Sequence, residues 1–301
     1  MPVLAKDAVR GEWEVSGGVL FGVAHEYVLK DSTVISRLDW DENGAAFTGL
    51  NGKLNLGGLF VQAGLLSAIP PQYPVGNMRD YDFLLADSSK VSHYSSHVAY
   101  LDKHFQLNAA TGYVFSLRNF EISSSVGYVF TNRKWTAADG FLQYPKAGEE
   151  WTGSEAKEKV AGTVIAYEQA LHMPFFAVGM AFKSDSHKIE LAGSLSPFMW
   201  CGTLDSHFIR AAQFYDKMQG GIGGRFEAAY SFYPALRPES GKTQRIGFKA
   251  ALGYQFIRDL AGTTASQKIG KTNTAMAVNT GYGSKMETDM WQASLGVLWY
   301  F

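Results

Sequence analysis

Cysteine is almost missing from this chain, since it occurs once, at Cys201. A single thiol cannot form a disulfide framework or a metal site of the clustered cysteine and histidine type. An excess of positive charge is also missing, because the net charge is -1 and the isoelectric point is near 6.7. The sequence therefore predicts neither a bound metal nor a nucleic-acid partner.

Long apolar runs are missing as well. Hydrophobic residues make up 46% of the chain, but no run approaches the roughly 20 apolar residues that a membrane-spanning helix requires. This excludes helical membrane spans. The first residues, MPVLAKDAVRGEWEV, contain no apolar signal region, so we expect that any export signal has been removed.

The chain does contain long segments in which apolar and polar residues alternate. HFQLNAATGYVF at 104–115 and RIGFKAALGYQF at 245–256 each place a largely apolar set on one side and a small or polar set on the other. Successive side chains of a strand point to opposite faces, so this period of two predicts β-strands. Strands of a soluble sandwich alternate too, but they usually have about five or six residues. The greater length favours a barrel in lipid.

The C-terminal segment WQASLGVLWYF extends this pattern to the last residue. One face of the predicted strand consists of Trp291, Ala293, Leu295, Val297, Trp299 and Phe301. An alternating apolar strand that ends on an aromatic residue is typical of the last strand of a bacterial outer-membrane barrel. The alternative, a terminal strand of a soluble β protein, would leave these aromatic faces without lipid to contact.

About ten such strands predict one all-β domain over residues 1–301, a ten-stranded antiparallel transmembrane β-barrel with long extracellular loops. Short turns of such barrels face the periplasm and long loops face outside. We assign short joins to 116–119, 184–187 and 233–242, and long joins to 68–97, 137–158, 204–222 and 259–285. Chemistry carried by the long joins would act outside the cell.

Two acid-containing pairs fall on the predicted outer rim. Asp80 and Asp82 are two residues apart, as are Asp205 and His207, so the members of each pair share a face in extended chain. Paired carboxylates can share a proton, and a carboxylate beside histidine supports a general base. Strand parity also turns Glu26 inward. The alternatives are solvated loop acids and a surface histidine beside a capping aspartate.

A weaker alternative rests on the segment KVSHYSSHV. His93 and His97 could act as a base or metal ligand, and the serines beside them allow a Ser/His hydrolase. No G-x-S-x-G, phosphate-binding glycine loop or H-E-x-x-H motif accompanies them. We expect both histidines to be loop residues.

Several short segments, taken in order, give the chain a family resemblance. They are LDW at 38–40, GNMRDYD at 76–82, DSS at 87–89, WTAADG at 135–140, HMPF at 172–175 and D-x-H at 205–207. From about Glu26 to Phe301, the sequence resembles the omptin family of outer-membrane proteases. The resemblance implies a ten-stranded barrel with an active-site groove at its extracellular mouth.

The resemblance also implies a mechanism for hydrolysis of extracellular peptides or proteins without an acyl-enzyme. Asp80 and Asp82 match the family's aspartate couple, and Asp205 with His207 match its Asp-His dyad. Water held between Asp80 and His207 would attack the scissile carbonyl. Asp205 would orient the imidazole, and Asp82 would set the charge of Asp80.

The specificity residues depart from the family pattern. Omptins cleave near basic residues with two acids in the specificity pocket; Glu26 matches one of them, but Thr203 occupies the position of the other. Loss of a carboxylate removes an ion-pair partner for arginine, so basic selectivity would be weakened or changed. KVSHYSSH also lacks the acid that the family offers on the primed side.

The family requires lipopolysaccharide on the outer barrel wall and no covalent cofactor. Tyr128 matches one lipid contact, whereas Phe130 and Asn132 occupy positions where an acidic and a basic residue are expected. The alternative function is a catalytically silent omptin-like barrel that acts as an adhesin or interaction protein. A solute channel fits least well, since side chains mostly fill a barrel of this size.

Overall fold

The computed structural model describes residues 9–69, 73–234, 245–269 and 277–301, and the regular elements of these ranges are all β-strands. The strands are β1 Arg10–Lys30, β2 Thr33–Leu56, β3 Leu59–Ala68, β4 Gly76–Asp82, β5 His93–Leu117, β6 Phe120–Gln143, β7 Glu158–Lys159, β8 Thr163–Lys183, β9 His187–Ser196, β10 Met199–His207, β11 Ala212–Gly220, β12 Ile222–Phe232, β13 Arg245–Lys268 and β14 Ala277–Tyr300. Within the described ranges, no helix is long and apolar enough to cross a membrane.

These strands form a closed antiparallel ring with ten members. We call each member a stave, which is either one long strand or two shorter strands in line. Three staves are divided by a short break, into β3 and β4, β9 and β10, and β11 and β12, while the two-residue β7 pairs only with the side of β6. The ring closes because β14 pairs with β1, from Glu12 opposite Tyr300 to Lys30 opposite Tyr282. The predicted ten-stranded barrel is confirmed.

The alternation of the sequence decides which side chains face out. On β1, Trp13, Val15 and Phe21 are exposed, whereas Glu14 and Leu20 between them are buried in the lumen. The C-terminal strand repeats this arrangement, since its Trp291, Leu295 and Trp299 are also exposed. An apolar outer wall of this extent is stable only against lipid.

The two ends of the barrel differ, and we call them the lower and upper ends. The lower end carries the turns at 57–58, 118–119 and 184–186 together with residue 301, and the upper end carries the connections at 31–32, 83–92, 144–162 and 208–211. Strands of 21 to 25 residues, such as β1 and β5, are about twice the length that a bilayer requires. The barrel therefore extends well beyond the lipid.

Much of the sequence assigned to long joins is strand. The segment 204–222 forms the hairpin of β10 and β11 around the turn 208–211, and the segment 68–97 contains β4 and the start of β5. Above the lipid, outward residues no longer need to be apolar, so the strands continue with ion pairs such as Arg79 with Asp41, 2.7 Å apart, on the outer wall. The expected joins at 233–242 and 259–285 fall partly outside the described residues.

The side chains of the lumen form two layers. Its lower half holds ion pairs, including Lys249 with Glu14 at 3.1 Å. Nearer the upper end, Tyr167 stacks on both Trp40 and Trp135, the ring centroids of the three residues lie 5.7 to 6.2 Å apart, and all three are fully buried. Trp40 lies two residues below the point where β2 pairs with Asp80, so this aromatic layer forms the floor of the upper mouth.

Candidate active site

The predicted acid and histidine residues face each other across the upper mouth. Asp80 and Asp82 lie on β4, and Asp205 and His207 lie on β10; strands β5, β6 and β8 separate β4 from β10 around the ring. Glu26 joins them because it pairs with Leu38 of β2, which in turn pairs with Asp80. The sheet register thus brings together five residues from three distant segments.

Asp80 and Asp82 form a carboxylate couple on the inner wall of β4. Ser36 of the neighbouring strand donates a hydrogen bond of 3.0 Å to Asp80 Oδ1. Burial raises the pKa of Asp80 to about 7, with the charge of Asp82 as the next cause, while the charges of Arg210 and His207 partly oppose the rise. Burial also raises the pKa of Asp82. Burial and the proximity of the two carboxyl groups therefore favour protonation of the couple relative to two free aspartates.

Asp205 and His207 form the second pair. His207 Nε2 lies 2.5 Å from Asp205 Oδ2, and both side chains are buried. The edge of the imidazole packs against Phe214 of β11, with ring centroids 5.3 Å apart. Asp205 occupies Nε2 and fixes the ring, so Nδ1 is the nitrogen left to accept a proton from a bound molecule.

A third carboxylate group lies between these pairs. Glu26 is 4% exposed and its Oε2 atom has no hydrogen-bond partner within the described ranges. Burial raises the pKa of Glu26 well above its usual range, and the charges of Asp205 and Asp216 raise it further. Thr203 is buried as well and donates a hydrogen bond of 2.8 Å to Asp216 Oδ2.

Asp216 was missed from the sequence. It lies in β11, directly opposite Thr203 of β10. The signal that could have found it is the hairpin: once residues 208–211 are recognised as the turn, pairing of 207 with 212 sets 203 opposite 216. The segment 204–222 was instead assigned to a loop, where no such register exists.

The comparisons with known proteins decide the family. The model of the omptin family matches residues 11–240. This chain is an omptin. It is 26% identical to the plasminogen activator of Yersinia pestis over 211 residues, which are 68% of this chain and 65% of that protein. The chain therefore spans about 65% of the length of this curated relative.

A solved structure agrees with this omptin in fold. The crystal structure of the outer membrane protease OmpT from Escherichia coli superposes with a TM-score of 0.83 and covers 100% of this chain and 99% of that one. The sequence identity is 16%, so this match shows the fold alone. Family and barrel together indicate that this omptin is an outer-membrane protein.

The two histidines of KVSHYSSHV lie in strand β5, which corrects the loop expectation. His97 is buried, with Nδ1 2.5 Å from the carbonyl of Asp139 and Nε2 3.2 Å from Ser95 Oγ. Both ring nitrogens are thus engaged in the wall of the omptin barrel. His93 stands opposite Asp82 in the mouth. No group of side chains in the described ranges has the make-up of a metal site.

Tyr128, the lipid-contact candidate, lies on the outer wall of the omptin barrel. Its hydroxyl hydrogen-bonds His172 Nδ1, and His172 stacks on Trp200 with centroids 5.1 Å apart. Phe130 adds a third aromatic ring at 5.0 Å from His172. Asn132, two residues further up, donates a hydrogen bond of 2.8 Å to the carbonyl of Gln169. This wall therefore carries an aromatic ring at Phe130 and an amide at Asn132, at the two positions where the sequence resemblance led us to expect charged residues.

Proposed function

We propose that this omptin is an outer-membrane endopeptidase that hydrolyses extracellular peptides or proteins, with its upper end outside the cell. One observation carries the proposal: a partly buried aspartate couple of raised pKa faces a buried Asp-His dyad across the open mouth of the barrel. The couple and the dyad leave a polar site between them, which suits a water molecule and a peptide carbonyl.

The reaction needs no covalent intermediate with the protein. Water hydrogen-bonds to Asp80 and gives a proton to Nδ1 of His207 as its oxygen attacks the peptide carbonyl. Asp205 stabilises the resulting imidazolium through the contact at Nε2. The C–N bond then breaks, and the proton held by His207 passes to the departing amine nitrogen. Burial and, after it, the charge of Asp82 raise the pKa of Asp80 to about 7, so Asp80 can gain or lose its proton near neutral pH.

Cleavage near basic residues follows from Glu26. A buried carboxylate is costly without a counter-ion, and Glu26 Oε2 has no partner in the described part of the chain. A lysine or arginine side chain of a substrate would supply the missing charge. Leu38 pairs with Glu26 on one side and with Asp80 on the other, so these three residues lie at the same height in the barrel. A basic substrate side chain bound to Glu26 would therefore lie next to the scissile bond.

We also propose that lipopolysaccharide contacts the outer wall around Tyr128. The aromatic rings there suit the boundary between acyl chains and headgroups. Cations lie higher on the same wall, where Lys103 Nζ is 2.7 Å from Glu168 Oε1 and Lys134 pairs in register with Glu168. A Tyr128→Ala variant assayed with and without lipopolysaccharide tests this contact. Equal activity of both proteins in both conditions would contradict it.

Cleavage of a mixed peptide library by the refolded barrel tests the main proposal. The library is incubated with the parent protein, with His207→Ala and with His187→Ala as the matched control, since His187 is exposed at the lower end. Products are identified by mass spectrometry in the presence and absence of lipopolysaccharide. Loss of a general base typically lowers the rate about 10²- to 10⁴-fold, so cuts should persist in the control and nearly vanish in His207→Ala.

Two results would overturn the proposal. One is a demonstrably folded parent barrel that makes no cuts in either lipid condition, which would favour the silent adhesin. The other is a set of cuts that His207→Ala makes at the parent rate. Heat-resistant mobility on a gel establishes that each variant is folded before it is assayed.

A further inference from the structure

Thr203 stands where the family resemblance predicts the second carboxylate of the specificity pocket. The neighbouring strand β11 supplies a carboxylate at Asp216 instead. Thr203 and Asp216 are direct partners in the antiparallel pairing of β10 with β11. Directly opposite residues of such a pair point to the same face, and both side chains are buried. The hydrogen bond of 2.8 Å from Thr203 Oγ1 to Asp216 Oδ2 joins the two side chains.

Asp216 and Glu26 form a pair of buried acidic side chains. Each is 4% exposed, and each stands close enough to Asp205 for that charge to raise its pKa after the larger effect of burial. Neither makes an ion pair with a lysine or arginine of the described ranges. Ionisation of two buried carboxyl groups is costly when no cation is near them. A positive charge bound beside them would lower this cost.

Other polar groups around the pocket are also unsatisfied. Tyr167 Oη and both amide atoms of Gln169 are buried without a hydrogen-bond partner in the part of the chain that the structure describes. Gln169 pairs in register with Thr203, and Tyr167 pairs with Asp205. Tyr167 Oη and Gln169 Oε1 can accept hydrogen bonds, whereas Gln169 Nε2 is a donor. A guanidinium group offers five donors in a plane, which suits the two acceptors and the carboxyl groups.

We infer that Asp216 is the second anionic group for the basic side chain next to the scissile bond, and that Thr203 holds it in place. This inference rests on the proposed peptidase function. Thr203 Oγ1 donates a hydrogen bond to Asp216 Oδ2, and the hydroxyls of Thr264 and Ser284 also lie within reach of this carboxylate. The pocket thus keeps two carboxylates although the acid has moved from β10 to β11.

Paired substrates measure this role directly. Two peptides of one sequence carry either arginine or citrulline at the cleavage site, since citrulline has the shape of arginine without its charge. The kcat/KM ratio of arginine over citrulline is measured for the parent, Asp216→Asn, and Asp185→Asn as an exposed control at the lower end. Loss of one charged hydrogen-bond partner should lower the ratio about 10- to 100-fold in Asp216→Asn only.

The reciprocal exchange sharpens the test. The double variant Thr203→Asp with Asp216→Thr returns the carboxylate to β10, so it should recover most of the ratio that Asp216→Asn loses. A merely structural role for Asp216 would lower both rates together and leave the ratio unchanged, which would overturn the inference. Retention of the parent ratio by a folded Asp216→Asn barrel would overturn it as well.

The two proposals fail in different ways. Absence of cuts by the folded parent, or cuts that do not depend on His207, would remove the peptidase function itself. Cuts that depend on His207 but keep their arginine preference in Asp216→Asn would remove only the role of Asp216.

Discussion

Asp80→Asn should stabilise the folded barrel at pH 8.5 and leave its stability nearly unchanged at pH 3. The reason is the raised pKa of Asp80, which is about 7 in the barrel against 3.8 for the free side chain. Below pH 3.8 the carboxyl is protonated in both states and contributes nothing. Between pH 3.8 and about 7 the carboxyl ionises in the unfolded state but stays protonated in the folded state, so the destabilisation grows over this range and is complete above pH 7.

The shift sets the magnitude of the effect. The difference between about 7 and 3.8 is roughly three pK units, and each unit is worth about 1.4 kcal/mol, which gives an upper value of about 4 kcal/mol. Asp80 keeps partial contact with solvent in the open mouth, and solvent screens such a charge, so we expect about 2 kcal/mol. Asparagine retains the Oδ1 acceptor for the hydroxyl of Ser36, so the substitution does not remove this hydrogen bond.

Urea unfolding of the barrel from phospholipid vesicles at pH 3 and pH 8.5 measures this difference. The exposed Asp185→Asn at the lower end serves as the control and should show no pH-dependent gain. The same variant, Asp80→Asn, should lose most peptidase activity, since the reaction needs its carboxylate. Equal stabilisation at both pH values, or destabilisation at pH 8.5, would refute the assignment of a buried, charge-bearing Asp80.

Two further predictions concern the rim and the wall. The charge of Arg210 lowers the pKa of Asp80, so Arg210→Ala should move the acidic limb of the kcat/KM profile to higher pH. The control Arg118→Ala, in a lower-end turn, should leave the limb in place. An unshifted limb in Arg210→Ala would contradict this prediction. Gly262→Ala should destabilise the barrel by about 1 to 3 kcal/mol in the same urea assay, because a Cβ there would overlap the backbone of β11. Gly202→Ala meets nothing within 4 Å, so a loss of equal size in both would refute the packing argument.

The barrel could be predicted from the sequence because lipid imposes a simple rule. Outward residues of β1 and β14 must be apolar within the bilayer, whereas the lumen accepts small or polar residues. Apolar and polar residues therefore alternate along each strand with a period of two. The direction of Glu26 follows from this rule. Parity along β10 was unclear from sequence because Pro197 and Phe198 interrupt the stave, and the structure turns both Asp205 and His207 into the mouth.

The part that sequence could not supply lies above the lipid. There the outer wall carries ion pairs instead of apolar residues, as at Arg79 and Asp41, so the alternation ends and strands resemble loops. The boundary between strand and join was therefore placed too early on several staves. Asp216 was hidden by this error, since its partnership with Thr203 exists only in the paired hairpin.

The barrel treats buried charge in opposite ways in its two halves, and this contrast supports a binding role for the upper mouth. In the lower lumen, Lys249 neutralises Glu14 at 3.1 Å. In the upper mouth, Glu26 and Asp216 are equally enclosed but have no cation among the described residues. A lysine beside Glu26 and Asp216 would neutralise them as Lys249 neutralises Glu14. Without such a lysine, a cationic ligand that binds there lowers the free-energy cost of burying the two carboxylates. Asp216 on β11 can bind this cation as well as an acid at position 203 on β10 would. The pocket requires a second carboxylate near Glu26, and either strand can supply it.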